Sequence, residues 1–358
     1  MKGYKMLKAD MTTLYGNMTY EIGKTYKLDG EIIPCLQGYH FCKELISCLL
    51  YYPNKNNDKR FFEIETGENV IERDDKCISD EITLVRELSL DEVLQYIREN
   101  ESIVNWTTIS NRQKLPEEFI REFKDKVDWR SISINQQLSE DFIREFQDSV
   151  EWFYIDAHQN LSEDFIREFE DKVDWYCISI RQRLSEDFIR EFQDELNWSR
   201  ISMYQKLSED FIREFKDKVD WFYISEYQTL SEEFISEFKE YVNWVCISRK
   251  QTLSEEFIRE FEDEVDWDCI SVYQKLSEEF IREFKDKVNW EFISEHQQLS
   301  EDFIREFQDR LDWFYISKYQ DLSEEFIREF RDRVAWYSIN EYQQLSKEFR
   351  REFENRLC

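Results

Sequence analysis

Three sets of residues in this 358-residue sequence are typed and spaced as if for chemistry. Cys35, His40 and Cys42 carry zinc-donor types in the pattern Cys-x4-His-x-Cys. Zinc sites take tetrahedral sets from closely spaced Cys and His pairs. This spacing differs and no fourth ligand stands nearby, so no metal is expected. A glutamine recurs every 23 residues, at Gln113, Gln136, Gln159 and onward to Gln343. Such a column of amides could hold a ligand, or it could satisfy backbone groups at a repeated turn. The second is expected, because buried backbone groups need partners wherever the turn recurs. No Ser-His-Asp set, P-loop or GxGxxG is present, so catalytic residues and cofactors are not expected and the repeats are read as non-enzymatic.

The third set is aromatic. Two columns vary while the 23-residue frame around them holds. One lies two residues after each tryptophan and includes Tyr154, Tyr223, Phe292 and Tyr315; the other lies just before the glutamine, with Tyr204, Tyr227, Tyr273, Tyr319 and Tyr342. In repeat proteins the variable positions face partners. Tyrosine suits that role because it buries area at little entropy cost and keeps a polar tip, although the same rings could instead pack partly between layers. His158 and His296 occupy the second column and read as surface substitutions.

The elements that must position these residues follow from the tryptophans. Trp106, Trp129, Trp152, Trp175, Trp198, Trp221, Trp244, Trp267, Trp290, Trp313 and Trp336 stand 23 apart without an insertion. A strict period of this length marks units that cannot bury an apolar face alone and stack into one core. Full units run from Leu115 to Gln344. A looser unit, 88–114, opens the series and is longer by four residues, about one helical turn. Leu345–Cys358 closes it as a capping helix, with Arg350 in place of the usual Ile and Lys347 in place of Glu.

In unit 161–183, Ser162 is a natural N-cap, and Glu163 and Asp164 put negative charge where the helix dipole favours it. Phe165, Ile166, Phe169 and Val173 form one apolar stripe. Glu163–Arg167, Arg167–Asp171 and Glu168–Lys172 pair opposite charges at i,i+4. A first helix of roughly 11 residues is expected, then a tight turn and a short second helix. Asp174 can cap that helix, though Ser179-x-x-Gln182 also fits a capping box that would start a turn later. Pro116, replacing the capping Ser of the first unit, suits a helix start because it has no N–H to leave unpaired. The tryptophans from Trp129 to Trp336 are expected in the core. The fold class is an all-α repeat solenoid over residues 88–358.

Residues 1–87 differ. All 6 glycines and all but one of the 3 prolines precede residue 70. The run YEIGKTYKLDGEI alternates like a strand and offers Asp29-Gly30 as a hairpin turn. FCKELISCLLYYP reads as a short helix stopped by Pro53, and RFFEIET and EITLVREL as strands. A small α+β domain is expected. Most of the net charge of −31 lies on the repeats. That surface repels phosphate backbones and anionic membranes, so neither nucleic acid nor membrane is expected as a partner, whereas a basic protein is allowed. Acidity also keeps a solenoid soluble. The start MKGYKMLKADMTTLYG lacks a signal-peptide core, so an intracellular, unsecreted chain with free thiols is expected. Cys177, Cys246 and Cys269 share one repeat position.

The runs Tyr20-Glu-Ile-Gly-Lys-Thr-Tyr26, Gly38-Tyr-His-Phe-Cys42, Tyr51-Tyr-Pro53 and Arg60-Phe-Phe-Glu63 resemble an uncharacterised domain of phage and giant-virus proteins. The repeats resemble the Trp-containing short helical repeats of mimivirus-type proteins of unknown function. These resemblances imply a viral chain, in host cytoplasm or virion, with a host or viral protein as partner. Gly38–Cys42 followed by Tyr51-Tyr52 is also similar to the Gly-x-Tyr-Phe segment of ADP-ribosyltransferases, although the rest of that pattern is not found. The expected function is a protein-interaction scaffold. A self-associating virion or assembly component is one alternative, and a nucleotide- or NAD-related activity in residues 1–87, targeted by the repeats, is another.

Overall fold

The computed structural model describes residues 1–14, 18–33, 37–54, 58–73 and 76–356. The chain forms two compact units, Met1–Gln182 and Arg183–Cys358.

The first unit begins with a sheet of β1 (Lys2–Lys8), β2 (Thr25–Lys27), β3 (Tyr39–Cys42), β4 (Lys59–Thr66), β5 (Val70–Arg73), β6 (Lys76–Ser79) and β7 (Glu81–Leu88), in the order β2-β7-β4-β1-β3-β6-β5. Neighbouring strands are antiparallel throughout. Period-2 alternation puts Phe62 and Ile64 of β4 on one face, buried with Leu7, Tyr20, Phe41, Ile82 and Leu84. β1 and β4 pair along their length, from Lys2↔Glu65 to Lys8↔Lys59, whereas β1 and β3 pair at the single position Tyr4↔Cys42. Gly38, just before β3, has φ +132°, and a Cβ there would lie 2.5 Å from the Ile78 side chain, so only glycine fits.

RFFEIET and EITLVREL are strands, as their pattern predicts. The expected hairpin at Asp29-Gly30 is not formed. β2 pairs instead with β7, from Thr25↔Thr83 to Lys27↔Glu81, and the Leu28 N–H donates to the Asp80 carbonyl at 2.7 Å. Alternation records which face is buried and does not say which strand lies alongside. Helix α1 (Leu45–Tyr51) stops short of Pro53, and it starts late because Phe41 and Cys42 are held by β6.

The helices begin with α2 (Leu90–Glu99), whose Ser89 and Glu92 form a reciprocal capping box, and α3 (Trp106–Arg112). At 10 residues α2 is longer than the 6-residue first helices that follow, such as Glu117–Glu122, so the four extra residues lie there. The Gln113 side chain donates to the carbonyls of Leu49 (2.6 Å) and Tyr52 (3.0 Å). Gln136 makes the same two bonds to Ser110 (3.0 Å) and Gln113 (2.7 Å). Helix α1, like α3, has 7 residues; it therefore stands where the second helix of a preceding repeat would stand.

After α2, each first helix has 6 residues rather than about eleven; Glu163–Glu168 is typical. Phe169 leaves the helical region (φ −119°, ψ 31°), and the Lys172 and Val173 N–H groups both turn back to its carbonyl, at 2.9 and 3.1 Å. This turn keeps Phe165, Phe169 and Val173 on one side, so the apolar stripe looks the same as in a continuous helix. The second helices run as Trp175–Arg181 does, and Asp174 caps it through the Cys177 N–H at 2.8 Å. Ser179 is thus inside that helix and starts no later turn.

The second unit continues the pattern from Glu186–Glu191 to Lys347–Glu352, with successive second helices packed on one another. Ser208 caps Glu209–Glu214, and the Ser231 N–H of the next repeat donates to Glu209 at 2.6 Å. Phe211, Ile212, Ile224, Phe234 and Ile235 are fully buried. At the end, Phe349 stays buried while the exposed Arg350 donates to Asn340 at 2.9 Å, a polar finish to the stack. Cys358 lies outside the described residues. The architecture is a small sheet-based α+β region followed by an all-α series of 23-residue solenoid repeats.

Candidate binding surface

Most of the recurrent polar residues are consumed by the frame. In the second unit the Gln228 amide donates to the carbonyls of Ser202 (3.0 Å) and Gln205 (2.8 Å), and its oxygen accepts the Leu207 N–H (3.1 Å). Gln251, Gln274, Gln297, Gln320 and Gln343 repeat this set. With both N–H donors and one oxygen lone pair used, and the amides buried except at Gln343, the column keeps no donor for a ligand.

A serine column does comparable work; the sequence offered its member Ser179 only as a helix cap. Ser202 donates to the Trp198 carbonyl (2.8 Å) and accepts the Asp220 N–H of the next repeat (2.9 Å). In the first unit Asp156 occupies this column, fully buried; one oxygen accepts the Asp174 N–H at 2.6 Å, and Oδ1 has no partner. Burial pushes this carboxyl up to about 7. A copy-by-copy reading of the column would have found it.

The tryptophans sit at the rim of the core. All ten from Trp129 to Trp336 are half-buried. Trp221 packs 6.2 Å from the Phe234 ring and 5.0 Å from Phe238, and its indole N–H donates to the Lys216 carbonyl at 2.9 Å. The inner core is the Phe and Ile of the first helix with the Ile of the second. The charges also act between repeats: Glu168 takes Arg144 at 2.7 Å and Lys172 reaches back to Asp148 at 3.2 Å, so the expected Glu168–Lys172 pair gives way, while Glu163–Arg167 persists at 3.8 Å.

The variable aromatic columns lie on the second helices. Tyr204, Tyr227, Tyr273, Tyr319 and Tyr342 are roughly half exposed, and Tyr154, Tyr223 and Tyr315 are half-buried beneath them. Members four residues apart on one helix meet: Tyr223–Tyr227 at 6.1 Å with tilted rings, and near-parallel Tyr315–Tyr319 at 6.2 Å and, in the first unit, Tyr154–His158 at 6.4 Å. A third column, directly after the tryptophan, escaped the sequence reading: Phe153, Phe222, Phe314 and Tyr337 are exposed. Its signal was present, since a half-buried Trp leaves its neighbour pointing outward.

This surface already receives cations from its own chain. Lys318 places its ammonium 4.7 Å from the Tyr319 ring centre and 5.5 Å from Tyr342, one repeat on. Arg130 stacks 5.3 Å from the Tyr154 ring and donates to its hydroxyl at 2.7 Å. Nearby carboxylates reinforce the preference: Glu295, with burial and Glu291, raises the Tyr315 phenol above its ordinary value.

Cys177, Cys246 and Cys269 are pushed up to about 11, chiefly by burial, and stay protonated at neutral pH. Of the zinc-type trio, His40 and Cys42 lie on β3, and Cys35 falls outside the described residues. Among the described residues, no group of three His, Cys, Asp or Glu is placed to hold a metal, and no helix is long and apolar enough to cross a membrane.

Fold and surface together define a class: a helical repeat protein with a sheet-based N-terminal region. Residues 1–96 match a family described as a domain of unknown function (DUF7666). No curated protein and no solved structure matches the chain.

Proposed function

We propose that the repeats form a non-enzymatic interaction scaffold that holds a basic, extended segment of a protein partner along the second-helix aromatic face. The observation that carries this reading is Lys318, lodged between Tyr319 and Tyr342 of successive repeats. A cation over a tyrosine face gains about 0.5–2 kcal/mol, and the chain's net charge of −31 draws basic segments toward it. The resemblance of the repeats to mimivirus-type proteins supports a viral chain acting on a host or virion protein.

Fluorescence anisotropy with a labelled Arg/Lys-rich peptide tests the proposal. Wild type should bind, and Tyr227→Ala with Tyr273→Ala should weaken binding by about tenfold, roughly 1.4 kcal/mol. Unchanged affinity in the double variant would show that the aromatic face is not the site.

A further inference from the structure

In so acidic a chain, one region is lined by the opposite charge. A cavity of about 800 Å³ opens beside β1 and β3, the strands that pair at a single position. The chain holds 79 Asp and Glu, yet among the described residues none lines this cavity. Its walls carry Lys5, His40, Lys76 and several tyrosines. Lys5 lies mid-strand on β1 and is 8% exposed. Its ammonium donates to the His40 carbonyl at 2.5 Å, sits 5.2 Å from the Tyr20 ring centre, and forms no ion pair among the described residues. Burying an ammonium without a counter-ion costs several kcal/mol, and burial lowers this one's pKa to about 8. An aliphatic side chain at that point would carry no such cost. Lys76 supplies a second cation, 4.0 Å from the Tyr51 ring centre. A concave site lined largely by apolar and aromatic side chains, with a few convergent polar groups, is the usual form of a small-molecule pocket.

We infer that this cavity binds a small planar anion, a flat ring bearing a phosphate or carboxylate, with Lys5 and Lys76 facing the anion and the tyrosines walling the ring. The missing counter-charge at Lys5 is then supplied by the ligand.

Pyridoxal 5′-phosphate is a probe of this class. Its aldehyde condenses with a lysine amine to an imine, releasing water, and borohydride reduces the C=N bond to an amine that peptide mapping locates. On the full chain at substoichiometric probe, Lys5 or the exposed Lys76 at the cavity wall should carry the label at least about tenfold over other exposed lysines such as Lys24. Pyridoxine 5′-phosphate, which lacks the aldehyde, should protect them, and pyridoxal without the phosphate should label them far less. Equal labelling by pyridoxal and its phosphate would mean a reactive amine without an anion site and would overturn the inference. Label spread over the other exposed lysines with Lys5 and Lys76 spared would do the same.

Discussion

In the repeats, nearly every buried polar side chain is a copy: a serine tying its own helix to the next N-cap, or a glutamine spending its amide on three backbone groups. In the sheet region each buried polar residue is singular. Asn54 bonds the Lys59 backbone (3.0 and 3.2 Å), and Lys5 faces a carbonyl and an open cavity. Copied contacts over-determine the frame, so change gathers where the frame does not reach, on the outer face of the second helices, with Asp156 a departure inside it. Singular contacts mark a place where one residue can be kept for a purpose other than packing.

The largest expected effect tests the copied frame at its core. Phe234→Ala opens a fully buried site and should cost about 3–5 kcal/mol in urea unfolding; a loss below about 1 kcal/mol would break the core assignment. Gln228→Leu comes next. It strands the Ser202 and Gln205 carbonyls and the Leu207 N–H, and should cost about 2–4 kcal/mol.

Asp156 sharpens the comparison, because it is the singular residue inside the copied frame. Its carboxyl titrates near 7 in the folded chain against 3.8 ordinarily. The folded state therefore holds the proton more tightly. Stability contributed by the protonated form is fully present below about pH 4 and is lost as pH rises through about 7. Asp156→Ser restores the copied contact and should add about 1–3 kcal/mol at pH 8 and little at pH 4. A gain independent of pH would contradict the burial argument. The smallest effect is expected for Tyr227→Ala with Tyr273→Ala, within about 0.5 kcal/mol in melting, since both rings are more than half exposed.

The parts of this fold that repeat could be read from the residues. The tryptophan period, the serine caps and the role of the glutamines all follow from spacing and hydrogen-bonding capacity. The length of the first helix did not, because the turn after Phe169 preserves the apolar stripe. Arg144 and Glu168 lie 24 residues apart, so no single-helix argument pairs them. Residues such as Lys5 are harder still. Nothing in KGYKMLK says that one lysine is buried beside a gap between strands; that follows from the single pairing of β1 with β3.

Hydrogen exchange of the full chain, with and without an Arg/Lys-rich peptide, tests the division between frame and face most directly. The account predicts new protection in the second helices Trp221–Tyr227, Trp267–Tyr273 and Trp313–Tyr319. The acidic first helices, such as Glu209–Glu214, should exchange as before. Protection confined to those acidic helices would place the partner on charge alone and contradict the account.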